Sequence, residues 1–167
     1  ALDAVIETAP TKGITYIVED DEIEETYGAL KTRAEHALDA LRRRGLAPGD
    51  PYVVFIDDAH TALPLIWAGL LGGQVPVPLG AHGPRAMPQT LQRLLGVLER
   101  LGPTAAVLVP DHSHALLQGA LPPSRSVWSQ AELLAHRAEA PVALDPPDRH
   151  ALAFIQFSSG STGAPKG

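Results

Sequence analysis

Most of the chain's evident chemistry is gathered in one short run, Ser158-Ser159-Gly160-Ser161-Thr162-Gly163-Ala164-Pro165-Lys166-Gly167. Hydroxyls stand at Ser158, Ser159, Ser161 and Thr162, glycines at Gly160, Gly163 and Gly167, and one cation at Lys166. Glycine reaches backbone torsions that side chains forbid, so such a loop can aim several N–H groups at one point. The hydroxyls add donors and Lys166 adds a mobile charge. Converging donors around one cation suit a polyphosphate. The spacing is not that of the common P-loop, which places Gly, four residues and Gly-Lys-Ser/Thr at the start of a helix. Here Pro165 precedes Lys166, and Gly167 stands where the hydroxyl residue belongs. The plainer alternative is a flexible Gly/Ser linker that carries a lysine, but a linker has no reason to follow an apolar run.

That apolar run, Ala151 to Phe157, reads as a buried strand feeding the loop. Loops beyond the carboxyl ends of strands are where open α/β sheets bind ligands. On the residues Phe157-Ser158-Ser159-Gly160-Ser161-Thr162-Gly163-Ala164-Pro165-Lys166-Gly167, the chain resembles the adenylate-forming, AMP-binding enzymes. These include acyl-CoA synthetases, adenylation domains of peptide synthetases, luciferases and fatty acyl-AMP ligases. Their phosphate loop reads aromatic, Thr/Ser, Ser-Gly-Ser/Thr-Thr-Gly, any residue, Pro-Lys-Gly. Ser158 replaces the more usual Thr and keeps its hydroxyl. The resemblance extends upstream to Thr26, Tyr27 and Leu30, to the turn Gly45-Leu46-Ala47-Pro48-Gly49-Asp50, and to Trp67 through Leu79.

Composition agrees with a folded domain. The 167 residues are 45% hydrophobic and 19% charged, enough for a real core and too apolar for disorder. The net charge of −6 lacks the basic footprint of a nucleic-acid partner. No cysteine is present, so disulfides, thiolate metal sites and a cysteine nucleophile are excluded. Thr61 to Ala81 carries no Asp, Glu, Lys or Arg, yet Pro64, Pro76 and Pro78 with Gly69, Gly72 and Gly73 argue against a membrane span. The amino terminus has neither a basic region nor a secretory pattern, which leaves the cytoplasm as the expected location.

The elements that must position the loop follow from periodicity. A short helix before Pro10 is expected, then a hairpin with strands at Ile14–Val18 and Ile23–Thr26 and an acidic tip, Glu19 to Glu22. A helix follows from Thr26 to about Gly45, with Ala34, Leu38 and Leu41 inward and Arg42-Arg43-Arg44 in its last turn, favourable to the helix dipole. Tyr52–Ile56 reads as a strand. Asp57-Asp58-Ala59-His60 after it is better explained by Asp58 capping the next helix than by a metal site. That helix ends at Gly72-Gly73 and feeds a strand, Gln74–Leu79. Gly80 to Pro88 is turn-rich. A helix is expected at Gln89–Leu101, with Leu91, Leu94, Leu95, Leu98 and Leu101 inward. A strand follows at Ala105–Val109. Asp111-His112-Ser113-His114 reads as a loop capping a helix that begins at Ala115, rather than as metal ligands. Trp128 packs at the end of a Pro-rich connection, Ser129–His136 forms a short helix, and Ala140–Asp148 is a surface linker. About five strand–helix units after a hairpin predict an α/β fold: a mostly parallel sheet with helices on both faces.

The resemblance implies that residues 1–167 are the N-terminal α/β portion of an AMP-binding domain that ends in the phosphate loop 158–167. It implies ATP and Mg2+ as cofactors, with a carboxylic acid attacking ATP to give acyl-AMP and pyrophosphate. The acyl group then passes to a thiol of CoA or of an acyl or peptidyl carrier protein. Ser158, Ser159, Gly160, Ser161, Thr162, Gly163 and Lys166 would bind the phosphates, with Thr162 and Lys166 assisting the chemistry. No metal ligand is assigned to the protein itself. The adenine, ribose and late-lysine sites of the family lie downstream, so the chain alone is expected to be inactive. Gln156 before Phe157, with the Trp128 segment and its Pro-rich lead-in, looks like the fatty acyl-AMP ligases. An amino-acid adenylation domain, an acyl-CoA synthetase and a nonenzymatic nucleotide-binding module stay open.

Overall fold

A computed structural model describes residues 2–18, 21–80, 87–145, 148, 150–159 and 165–166. Helix α1 (Leu2–Thr8) leads into a hairpin of β1 (Gly13–Val18) and β2 (Asp21–Thr26), antiparallel with Gly13 opposite Thr26. Of the acidic tip, Glu19 and Asp20 lie outside the described residues, and Asp21 and Glu22 already belong to β2.

Helix α2 (Tyr27–Arg43) starts where the Thr26 side chain accepts the Ala29 N–H, a cap that answers one of the unpaired donors of the first turn. Its buried stripe is Leu30, Ala34, Ala37, Leu38, Ala40 and Leu41, spaced by three and four. Burying each such leucine stabilises the fold by roughly 1.5–3 kcal/mol before entropy. Gly45, at φ 90°, adopts the left-handed conformation just beyond the end of α2.

Then β3 (Pro51–Val54), α3 (Ala59–Gly72), β4 (Val75–Pro78), α4 (Met87–Leu101), β5 (Ala106–Val109), α5 (Asp111–Ala120), β6 (Val127–Ser129) and α6 (Gln130–Ala135) alternate. The four strands form one sheet in the order β4-β3-β5-β6, and every pair is parallel. Alternate residues feed two cores. Tyr52, Val54, Ile56, Ala106 and Leu108 meet α2, α3 and α6 on one face. Val53, Phe55, Val77, Val107 and Val109 meet α4 and α5 on the other. Strands covered on both sides have no polar face, which is why they read as unbroken apolar runs. The α/β reading is therefore correct.

Several expectations need correction. Leu95 is 42% exposed; the buried apolar positions among the described residues of α4 are Leu94, Val97 and Leu98, so the apolar stripe turns slightly away from Leu95. Helix α5 begins at Asp111, not Ala115, because Pro110 in extended conformation sets the helix start and Asp111 sits favourably in the first turn. Strand β6 was not foreseen; it has three residues, too short for a periodic signal.

The largest departure is Ala151–Phe157. It forms no strand, and Leu152 and Phe154 are 59% and 52% exposed. Only Ile155 and Phe157 pack on the core, against the α4/α5 face. Ile155 N–H donates to Pro76 O at 3.1 Å, on the outer edge of β4. Val75 and Leu79 turn their N–H groups inward, to Asp50 O and Val54 O. The intervening residues that face outward are Pro76 and Pro78, and neither has an N–H. A ladder needs a return bond to Ile155 O, and in either strand direction its donor would be one of these prolines. The edge offers acceptors without donors, so pairing stops at one bond.

Candidate phosphate-binding site

Beyond Phe157 the backbone forms β7 (Ser158–Ser159) and β8 (Pro165–Lys166), paired antiparallel with Ser158 opposite Lys166 and Ser159 opposite Pro165. Strand β8 lies beside α4. The pairing makes a narrow neck that returns the chain on itself. Ser158, Ser159 and Lys166 are thus brought together at the backbone level. Gly160, Ser161, Thr162 and Gly163, the rest of the expected cradle, lie outside the described residues, as do Ala164 and Gly167. The neck is anchored through Ile155 and Phe157 at the β4 edge, not through a buried strand.

Two acidic residues at the carboxyl ends of the sheet, Asp58 and Asp111, serve helix starts. Asp58 accepts the His60 and Thr61 N–H groups at 3.2 and 3.1 Å, and the Thr61 hydroxyl as well. Asp111 accepts the Ser129 hydroxyl and, at 3.3 Å, the Ala131 N–H. It therefore ties the start of α5 to the start of α6, across the ends of β5 and β6. Sequence reasoning missed this tie, since nothing local links residues 111 and 129. Among the described residues, no group of three or more His, Asp or Glu side chains could hold a metal ion.

The arginine run that closes α2 is spoken for. Arg42 donates to Ala143 O at 2.6 Å and Asp145 at 2.8 Å, and Arg43 to Asp39 at 2.7 Å. Arg44 reaches Glu132 at 3.4 Å with its guanidinium 6.0 Å from the centre of the Trp128 ring. Arg42 and Arg44 fasten the 132–145 region to α2, while Arg43 pairs within the helix.

A chain with a parallel α/β sheet and a hydroxyl- and glycine-rich loop on a hairpin neck has known counterparts. Residues 4–167 match the family described as AMP-binding enzyme. The chain belongs to that family. Among curated relatives, the nonribosomal peptide synthetase ftmPS of Neosartorya fischeri is 32% identical over 151 residues, covering 85% of this chain and 6% of the synthetase. Among solved structures, McyG A-PCP complexed with phenylalanyl-adenylate superposes with a TM-score of 0.80 at 28% identity, covering 100% of this chain and 27% of that one. The fatty acid AMP ligase from Legionella pneumophila gives a TM-score of 0.81 at 20% identity over 99% of this chain and 28% of its own, a likeness of fold. This member of the AMP-binding family thus spans less than a third of the length of each of these three proteins.

Proposed function

We propose that this chain carries the phosphate loop of an enzyme that activates a carboxylic acid with ATP. A carboxylate oxygen attacks the α-phosphorus, a new C–O–P link forms, and the bond to the β-phosphate oxygen breaks to release pyrophosphate. Ser158, Ser159, Gly160, Ser161, Thr162, Gly163 and Lys166 hold the β- and γ-phosphates. Charge grows on the departing pyrophosphate, and fixed donors relieve it without reorganising solvent. Thr162 and Lys166 are assigned the largest share of that relief. The observation that carries this reading is the β7–β8 neck, which sets Ser158 opposite Lys166 in a chain of the AMP-binding family.

Magnesium accompanies ATP in such chemistry, but the described residues offer it no carboxylate cage. Hydroxyls and amides fit phosphate oxygens, and magnesium would bridge phosphate oxygens of the nucleotide. The acyl group then passes to a thiol, and the peptide-synthetase relative and the A-PCP neighbour favour a carrier protein over CoA. They also favour an amino acid or a related acid as substrate. Gln156 before Phe157 is the observation behind a second reading, fatty-acid adenylation. Among the described residues no helix is long and apolar enough to cross a membrane. A cytoplasmic setting, where ATP is held, fits the reaction.

The test is Lys166→Ala in the enzyme that contains this chain, followed by acid-dependent pyrophosphate–ATP exchange. Loss of one well-placed donor of this kind costs about 3–4 kcal/mol, or on the order of a hundredfold or more in rate. The circular dichroism spectrum should not change. Unaltered exchange would remove Lys166 from the mechanism, and ATP binding without any acid-dependent exchange would make the chain a nonenzymatic nucleotide-binding module. A panel of amino and fatty acids in the same assay separates the two substrate readings.

A further inference from the structure

Arg44, Leu46, Asp50, Thr104, Ser126 and Trp128 line one cavity of about 270 Å³. Asp50 immediately precedes β3, Ser126 immediately precedes β6, and Thr104 lies two residues before β5. These strands are parallel neighbours, so the cavity sits at the amino ends of the sheet, away from the Asp58 and Asp111 caps at the carboxyl ends. Arg44 and Leu46, just past the end of α2, supply another wall. The cavity shares no residue with the β7–β8 neck, and its chemistry is independent of the phosphate-loop reading.

Both signs of charge line the cavity, and neither is fully engaged. Arg44 Nη1 donates to Ala40 O at 3.3 Å and Nη2 to Glu132 at 3.4 Å. Both bonds are longer than the roughly 2.7–2.9 Å of a strong charge-assisted pair, and a guanidinium fork has donors to spare beyond them. The Glu132 side chain is 63% exposed, so water competes for that contact. Asp50 Oδ2 accepts the Ala47 N–H at 2.8 Å, while among the described residues its Oδ1 has no hydrogen-bond partner. Trp128 is partly buried with the Arg44 guanidinium 6.0 Å from its ring centre, and it offers an apolar surface beside Leu46. The volume falls just below the range of about 300–1,000 Å³ usual for drug-sized ligands, which points to a small occupant. A bare anion would meet the Asp50 carboxylate, and a bare cation would meet the Arg44 guanidinium. A molecule carrying both charges on a short carbon frame pairs with each.

We propose that this cavity binds a small zwitterion of the amino-acid class. Its carboxylate takes the Arg44 fork in place of Glu132, its ammonium takes the open oxygen of Asp50, and its side chain lies against Trp128 and Leu46. Thr104 and Ser126 add hydroxyls at the rim.

The experiment titrates L-leucine into the 167-residue chain at neutral pH, read by calorimetry and by the indole N–H signals of Trp67 and Trp128. Binding should saturate with a dissociation constant near ~1 mM, moving the Trp128 signal and leaving Trp67 in place. Two analogues divide the ligand: 4-methylpentanoate lacks the ammonium and 3-methylbutylamine lacks the carboxylate. Each should bind about tenfold more weakly, since each loses one charge pair and leaves a like charge facing it. Arg44→Gln removes the cation, and Asp50→Asn removes the anion while keeping an acceptor for the Ala47 N–H. Each should weaken leucine about tenfold, with amide signals of β4 and α5 unchanged as the check on folding. The site is rejected if the Trp128 signal shows no saturable shift up to roughly fifty times that concentration. Equal binding of either analogue and leucine also overturns it, because a single charge is then being read, and this comparison needs no variant.

Discussion

Strand β5 and the segment Ala151–Phe157 look alike as sequence and behave oppositely as structure. Both are short apolar runs. In β5 every residue from Ala106 to Val109 is buried, and the strand has a hydrogen-bonded neighbour on each side. In the second segment Leu152 and Phe154 face solvent and, among the described residues, the one backbone link to the sheet is Ile155 N–H to Pro76 O. The difference lies in the neighbours. Central strands find donors and acceptors on both edges, whereas the outward positions of β4 are prolines. Apolar content decides that a segment seeks a core; the donors on the adjacent edge decide whether it becomes a strand.

The comparison is tested hardest by truncating one residue in each region. Leu108 on β5 is fully buried between α2, α3 and α6. Leu108→Ala should destabilise the chain by about 3 kcal/mol, the lost transfer energy plus the cavity left behind. Phe154→Ala removes a larger side chain but should cost about 0.5 kcal/mol or less, since half of that ring is already in water. Urea midpoints at equal m-values read both. Comparable losses would mean that Phe154 is buried in solution and that the segment is part of the core.

The same reasoning explains what could be read from residues alone. Asp58 was legible as a cap because the signal is local: a short polar side chain, then the first turn of a helix. The two-sided burial of β3 and β5 was legible as unbroken apolar runs. The fate of Ala151–Phe157 was not, because it depends on which strand lies beside it, and the prolines that stop it sit some seventy-five residues earlier. Strand β6 and the Asp111–Ser129 tie are non-local in the same way. Of the candidate phosphate-binding site, the family signature was legible, and the β7–β8 pairing of Ser158 with Lys166 adds a neck that the pattern of residues alone did not specify.

A donor can be returned to the edge. Pro78→Val places an N–H at an outward position of β4, within the stretch that already receives Ile155. If 151–157 runs parallel to β4, that N–H completes the missing return bond to Ile155 O. The gain of about 1 kcal/mol from a hydrogen bond is offset by the greater freedom of the unfolded chain without proline, so net stability should change by no more than about 1 kcal/mol. The informative readout is exchange of the new amide at residue 78. A protected amide makes the proline account sufficient for this edge; one that exchanges as freely as a solvated amide shows that missing donors are not what keeps the segment from pairing.

The smallest expected effect sharpens the contrast from the other side. Residues 136–145 also lack regular structure, yet they are held on α2 by side chains. His136 lies 2.6 Å from Asp39, His36 accepts the Ala138 N–H at 3.2 Å, and Arg42 takes Ala143 O and Asp145. Hydrogen bonding from Arg43, then from His136, holds the Asp39 carboxyl below its ordinary value. A lowered folded value means that the native state binds fewer protons in acid. The stabilisation is therefore complete above the usual carboxylate range, near pH 4, and is lost as pH falls through the lower folded value. Asp39→Asn should lower the urea midpoint slightly near neutrality, and the gap to wild type should close in strong acid. Exchange should quicken in residues 136–139 and stay as it was in 152–157. A gap that persists undiminished in acid would show that Asp39 acts through packing rather than charge, and that this irregular stretch is held no differently from the one at the β4 edge.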